Sequence, residues 1–177
     1  EEYNYFLAVI FPKSQMKIMA YNRVVADLND NSEDEFIEKV GRNFLVSEDA
    51  FPSPDSRLKY AMYLDGKWYG LAPKDGSFPA SDPVRSLDAS ILQENLLNPV
   101  LGIEDPRTSD RIKFVGGIRG TGELERLVDS GRYKVAFSLY PTSIDQLIEV
   151  AESGNVMPPK STWFEPKLRS GMVVHLL

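Results

Sequence analysis

The chain has 177 residues, a net charge of −6 at pH 7, no cysteine and a single histidine, His175. This length suits one domain over residues 1–177, and the missing cysteines exclude disulfides, thiolate metal sites and thiol nucleophiles and fit a cytoplasmic location. The negative charge disfavours nucleic acid as a partner, and the lack of an apolar run of ~20 residues disfavours a membrane span.

The first half of the sequence is typical of β-hairpins. An apolar run from Tyr3 to Phe11 is followed by a turn-like segment and by the alternating run Met16 to Tyr21, so we expect the two runs to pair. Arg23 lies in the strand-like continuation 22–28. A charge between apolar residues favours an exposed edge strand, and the alternative is a side chain that points into a site.

A helix and a second hairpin follow. Ser32 and Glu35 have the spacing of a capping box, which predicts a helix from Glu33 to Val40. Asp65-Gly66 lies between two strand-like runs and is a preferred two-residue hairpin turn, because glycine accepts positive φ. The hairpin's aromatic side chains can pack across the strands or stack on a base or sugar, and we favour packing. These side chains are Tyr60, Tyr63, Trp68 and Tyr69.

The second half of the sequence alternates strands and helices. Apolar spacing predicts a helix near Asp88 to Leu97, strands at Ile112 to Val115 and Tyr133 to Leu139, and helices after Gly122 and Ser143. Hairpins in the first half and helices packed on the sheet in the second predict an α+β fold with a mixed, largely antiparallel sheet.

A glycine-rich segment, Gly116 to Gly122, lies between a predicted strand and a predicted helix, where backbone amides can hold an anion. Arg119 would add positive charge. The segment matches neither the dinucleotide-binding pattern nor the P-loop, and Glu123 and Glu125 would repel a phosphate. We therefore favour a flexible turn and retain Arg119 as an anion-binding candidate.

Polar residues concentrate near the end of the chain, between Val156 and Leu177. Three prolines exclude a long helix there. Lysines and hydroxyl groups on such a stiff loop can bind phosphate or carboxylate at little ordering cost. The alternative is a crossing segment with solvated lysines that leads into a core strand, Met172 to Leu177, which contains His175. The polar residues are Lys160, Ser161, Thr162, Lys167, Arg169 and Ser170.

Three strings in this sequence resemble one family. They are Tyr21 to Val25, Leu87 to Leu92 and, above all, Met157 to Lys167, which reads Met-Pro-Pro-Lys-Ser-Thr-Trp-Phe-Glu-Pro-Lys. Over nearly its whole length the chain is similar to the C-terminal part of a bacterial and archaeal family catalogued as domain of unknown function 1015. The resemblance implies that the chain is a C-terminal fragment of a protein about twice as long.

The resemblance also implies a function. Members of the family carry an N-terminal Asp-Gly-His-His-Arg motif, which is similar to one in free-serine kinases of the partition-protein-B (ParB)/sulfiredoxin fold. This sequence lacks that motif, so the resemblance implies half of a small-molecule kinase site. A nucleotide with magnesium would be held together with the missing N-terminal part. The residues implied in phosphate or carboxylate binding are Arg23, Lys160, Ser161, Thr162 and Lys167.

A non-catalytic α+β binding or scaffold module is the alternative. Such a module needs neither a catalytic residue nor a metal ligand, and the sequence pattern identifies no residue in either role. The two functions differ in what they expect of the complete protein, because only the kinase half-site requires binding of a nucleotide and a small substrate such as serine.

Overall fold

The computed structural model of the protein describes residues 4–6, 8–165, 167, 171 and 174. Its first half holds strands β1 to β5 around one helix, and its second half alternates helices with strands. The elements are β1 (Lys17–Met19), β2 (Tyr21–Val25), α1 (Glu33–Val40), β3 (Phe44–Ser47), β4 (Tyr60–Leu64), β5 (Lys67–Pro73), α2 (Asp88–Leu92), β6 (Ile112–Gly116), α3 (Gly122–Asp129), β7 (Val135–Leu139), α4 (Ile144–Glu152) and β8 (Trp163–Glu165). A π-helical turn, Gln93–Leu97, continues α2, and 3₁₀ turns occupy Lys13–Gln15 and Gly117–Arg119.

Six strands form one sheet in the order β3-β5-β4-β7-β2-β6, and β1 pairs with β8 in a separate two-stranded sheet. Every strand pairing in the described part of the chain is antiparallel. Strands β4 and β7 lie at the centre of the sheet and are buried along their whole length, because helices cover both faces. The predicted α+β fold is confirmed.

The two faces of the large sheet carry separate hydrophobic cores. Side chains alternate along a strand, so neighbouring residues such as Val24 and Val25 point to opposite faces. Val25 packs with α1 and α2 in the larger core. Val24 packs in the smaller core against α3, through Leu124 and Leu127. Arg23 is two residues from Val25 and so lies on the face that α1 and α2 cover.

Three local predictions are confirmed in detail. The capping box of α1 is complete, with the Ser32 hydroxyl accepting the Glu35 amide and the Glu35 carboxylate accepting the Ser32 amide. In the β4–β5 turn, Asp65 and Gly66 both have positive φ, at 45° and 75°, as a two-residue hairpin of this type requires. The rings of Tyr63 and Trp68 pack across the strands with centroids 5.0 Å apart, which confirms the packing interpretation.

The predicted N-terminal hairpin is wrong. Residues 8–11 are not in a strand, and Lys13–Gln15 forms a 3₁₀ turn. Much of the described part of the apolar run is exposed, with Ile10 at 93%. Strand β1 pairs instead with β8, from the other end of the chain, with Ile18 opposite Phe164. Apolar character identified the run as strand-like but gave no information about a partner.

The predicted edge position of Arg23 is also wrong. Strand β2 lies between β6 and β7, and Arg23 is only 3% exposed. A strand's neighbours depend on long-range pairing, so the local pattern could not distinguish an edge from the interior.

The predicted core strand Met172 to Leu177, including His175, lies outside the described residues, as does Arg169. Over the residues that are described, no helix combines the length and the apolar character needed to cross a membrane.

Candidate functional site

An open groove of about 670 Å³ lies beside the two-stranded sheet. We call it the lysine groove, because the two charged side chains among its described lining residues are lysines. Its walls are largely aromatic, which places cations next to flat apolar surfaces. The lining residues that matter below are Tyr21, Lys160, Thr162, Trp163, Phe164 and Lys167.

Trp163 is the fixed wall of the lysine groove. Its ring lies so close to the backbone of β6 that a Cβ atom at Gly116 would be 2.6 Å from it. The Tyr21 ring meets it edge to face with centroids 5.2 Å apart, and the indole N–H donates to Glu165 at 2.7 Å. The ammonium of Lys167 lies 3.7 Å from the centroid of the indole. Trp163 therefore holds Lys167 by a cation–π contact.

Lys160 is positioned by a constrained loop. Its φ is 56°, in the left-handed region that a side chain makes unfavourable. The next residue fixes the loop: the Ser161 hydroxyl donates to the carbonyl of Pro158 at 2.7 Å, and the Thr142 hydroxyl donates to the carbonyl of Ser161 at 3.0 Å. The Lys160 ammonium lies 6.0 Å from the centroid of the Tyr21 ring. Ser161 is buried, so its observed role is to shape the loop.

Arg23 lines a different cavity, of about 450 Å³, on the α2 side of β2. We call it the arginine pocket. The guanidinium donates from Nη1 to the carbonyl of Tyr21 at 2.7 Å and lies 5.5 Å from the centroid of the Phe114 ring. Burial lowers the pKa of Arg23 to about 10, so the side chain stays charged at neutral pH. Pro158 and Pro159 form part of the wall.

One loop borders both cavities. Pro158 and Pro159 line the arginine pocket, and the next residue, Lys160, lines the lysine groove. Tyr21 connects them from the other side, since its carbonyl accepts from Arg23 and its ring lies in the groove. The structure thus brings the predicted residues Arg23, Lys160, Thr162 and Lys167 into two neighbouring cavities. Their roles in anion binding stay predictions.

Arg119 is not part of this arrangement. Its side chain is 63% exposed, and its Nη1 lies 3.7 Å from a Glu123 carboxylate oxygen. The same carboxylate accepts from Arg126 at 2.7 Å. Arg119 thus already has an acidic partner on α3, in a 3₁₀ turn rather than a phosphate-binding loop.

Sequence reasoning missed several residues of the site. Gly116 allows Trp163 to approach the sheet, and Tyr21 joins the two cavities. Both residues lie in segments that the sequence singled out, but nothing in those segments indicates these roles. The π-helical turn was also missed; its first residue, Gln93, lines the arginine pocket and donates from its side chain to the carbonyl of Ile103 at 2.7 Å. Such turns are frequent at functional sites. In the described part of the chain, no three acidic or histidine side chains are placed to hold a metal ion.

Comparison with known proteins gives one family and a shared fold. The family described as "Protein of unknown function (DUF1015)" matches residues 1–90, about half of the chain. No curated protein matches the sequence. The chain resembles a structure of free serine kinase in complex with AMP, with a TM-score of 0.51 and 12% identity over 84% of this chain and 54% of that chain.

Two further structures give the same result. A mutant of free serine kinase in complex with AMP has a TM-score of 0.50 and 13% identity, over 84% of this chain and 54% of that one. A conserved hypothetical protein from Pyrococcus furiosus has a TM-score of 0.50 and 13% identity, over 84% and 56%. The chain spans about half the length of these structures. At such low identity the likeness establishes the fold, and the expected ParB/sulfiredoxin relationship stays a prediction.

Proposed function

The chain belongs to the family described as Protein of unknown function (DUF1015), and we propose that it forms the C-terminal part of a kinase acting on a small, serine-like molecule. The 177 residues would fold as one α+β domain and contribute anion-binding groups to a site shared with an N-terminal part. The observation that carries the proposal is the presence of two lysines and four aromatic rings in one groove.

A nucleotide fits the chemistry of this groove. Its flat base can stack on the aromatic walls, and its phosphates can accept hydrogen bonds from Lys160 and Lys167. The Thr162 hydroxyl can donate a further hydrogen bond. The structures of free serine kinase that share this fold contain AMP, which supports a nucleotide as the ligand.

The chain's residues would bind and orient the phosphates. In the transfer, the acceptor's hydroxyl oxygen forms a bond to phosphorus, the bond from phosphorus to the bridging oxygen of the nucleotide breaks, and the hydroxyl proton passes to a base. We assign the base and any magnesium ligands to the N-terminal part that the family resemblance implies. Lys160 and Lys167 would stabilise the negative charge on the phosphate oxygens.

Calorimetry on the complete protein tests this proposal, with ADP and AMP as probes. We expect Lys160→Ala and Lys167→Ala each to weaken nucleotide binding by about tenfold, since each removes one charge-assisted hydrogen bond. Lys67→Ala is the matched control, because Lys67 is also an exposed lysine but lies at the β4–β5 turn. If no nucleotide binds, or if all three variants bind like the wild type, the proposal fails and the non-catalytic binding or scaffold module is the better account.

A further inference from the structure

Arg23 is a buried cation that has no matching anion in the part of the chain that the structure describes. No carboxylate forms an ion pair with it among the described residues, although eight other ion pairs are present there. Its contacts are the carbonyl of Tyr21 and the face of Phe114. An unpaired buried charge is costly, and an anionic ligand would remove that cost.

Arg23 lines the arginine pocket and has hydrogen-bond donors that no described residue uses. A guanidinium has five N–H groups, and the carbonyl of Tyr21 accepts from one of its nitrogens. Within the described residues, Ser77 Oγ is the one polar side-chain atom that has neither a hydrogen-bond partner nor accessible surface. The remaining nitrogens of Arg23 also have no hydrogen-bond partner in the described residues, so they must keep some accessible surface. The arginine pocket, which this residue lines, can give a ligand access to them.

Acidic side chains surround the arginine pocket. Glu94 and Asp105 line it, but each is already paired, with Arg85 at 3.1 Å and with Arg107 at 2.7 Å. Glu104 also lines the pocket, is exposed, and forms no ion pair within the described residues. The cavity thus offers a buried cation in its wall and one uncommitted carboxylate.

We propose that the arginine pocket binds a free α-amino acid, with Arg23 holding the carboxylate and Glu104 holding the ammonium. A guanidinium matches a carboxylate by two parallel hydrogen bonds, which a lysine cannot reproduce. A simple anion would leave Glu104 unpaired and would be repelled by it. A zwitterion satisfies both charges, and a volume of about 450 Å³ accommodates a small side chain.

The position of the arginine pocket beside the lysine groove suits an amino acid that accepts a phosphoryl group. The loop with Pro158 and Pro159 on one side carries Lys160 on the other. An amino acid in the arginine pocket would lie next to a nucleotide in the lysine groove, as a phosphoryl acceptor must. This role rests on the proposed function, whereas the binding of the amino acid does not.

The purely structural role of Arg23 would be to support the backbone of Tyr21. That role requires one hydrogen-bond donor and a cation near Phe114, and Arg23→Lys retains a charge and a donor. The amino-acid site instead requires the planar fork. Arg23→Lys therefore separates the two roles.

Calorimetry of the complete protein with three matched ligands provides the test. L-Serine carries both charged groups, β-hydroxypropionate lacks the ammonium, and ethanolamine lacks the carboxylate. We expect L-serine to bind, β-hydroxypropionate to bind about tenfold more weakly and ethanolamine to show no measurable binding. Arg23→Lys should weaken L-serine binding about tenfold. Glu104→Gln should weaken L-serine binding and leave β-hydroxypropionate binding unchanged or tighter.

Several outcomes would overturn the inference. The inference fails if L-serine does not bind or if all three ligands bind equally well. It also fails if Arg23→Lys and Glu104→Gln both bind L-serine with the affinity of the wild type. Circular dichroism verifies folding, and if Arg23→Lys does not fold, the exposed Glu104→Gln and the ligand series decide. ADP provides the cross-check: Lys160→Ala should weaken ADP binding but not L-serine binding. If the wild-type protein binds L-serine but not ADP, the result counts against the kinase and leaves the amino-acid site standing.

Discussion

Lys160 occupies a backbone conformation that its side chain disfavours. Its φ is 56°, and a residue with a Cβ atom pays roughly 1–2 kcal/mol there. The hydrogen bonds of Ser161 and Thr142 hold the loop in this shape. Strain of this kind often occurs at ligand sites, and this supports the proposed role of Lys160 in phosphate binding.

The variant Lys160→Gly should affect the stability of the fold and its affinity for a nucleotide in different ways. Glycine removes the strain but gives the unfolded chain more freedom, so we expect the free energy of unfolding to stay level or to rise by up to about 1 kcal/mol. Nucleotide affinity should fall about tenfold, because the ammonium is lost. Urea unfolding and calorimetry measure the two quantities. A clearly less stable variant would contradict the account of the loop, and so would unchanged affinity.

Asp88 gives the fold a predictable pH dependence. Its carboxylate accepts the Leu58 amide at 3.2 Å, and burial raises the pKa of Asp88 from 3.8 to about 6. The folded state therefore holds a proton that the unfolded state has lost. This group's contribution to stability is complete below pH about 4, falls as the pH rises to about 6, and is constant above.

Asp88→Asn tests this dependence, because asparagine resembles the protonated acid and does not titrate. Relative to the wild type, the variant should gain up to about 3 kcal/mol of stability between pH 4 and 6. Above pH 6 the difference should stay constant. Urea unfolding of both proteins at pH 4, 5, 6 and 7 provides the comparison, and a difference that does not change with pH would refute the assigned pKa.

At the scale of elements, the contact between β8 and β6 builds the lysine groove. Gly116→Ala would place a methyl group 2.6 Å from the ring of Trp163, so the ring or the strand must move. We expect a loss of about 1–3 kcal/mol in stability, a change in tryptophan fluorescence and weaker nucleotide binding. Gly122→Ala is the matched control, since nothing lies within 4 Å of a Cβ atom there. Equal behaviour of the two variants would contradict this account.

Elements with local signals could be predicted from sequence. The capping box of α1 and the Asp65-Gly66 turn each lie within a few residues, so their chemistry determines the conformation without distant contacts. The pairing of β1 with β8 and the interior position of β2 depend on strand order. No short window of the sequence contains that information, and both were predicted wrongly.

The candidate site divides in the same way. Lys160, Thr162 and Lys167 share one short polar segment, which the sequence singled out. The separate arginine pocket could not be predicted, because Arg23 and Glu104 line one cavity only through the packing of β2 beside α2 and the loop that follows it. The sequence showed that Lys160 and Lys167 lie close together, but it could not show that Arg23 is buried.

Across the whole molecule, the lysine groove is a positive region on an acidic protein. The net charge is −6, yet the described charged side chains that line the groove are two lysines. A local excess of positive charge favours small anions over long phosphate backbones, which the net negative charge of the chain repels. This distribution suits a nucleotide better than nucleic acid.

A crystal structure of the complete protein with AMP would show whether the lysine groove binds the phosphate of a nucleotide. We expect phosphate oxygens at about 3 Å from the ammonium groups of Lys160 and Lys167, with the base against the aromatic wall. AMP bound elsewhere, with both lysines facing solvent, would contradict this expectation.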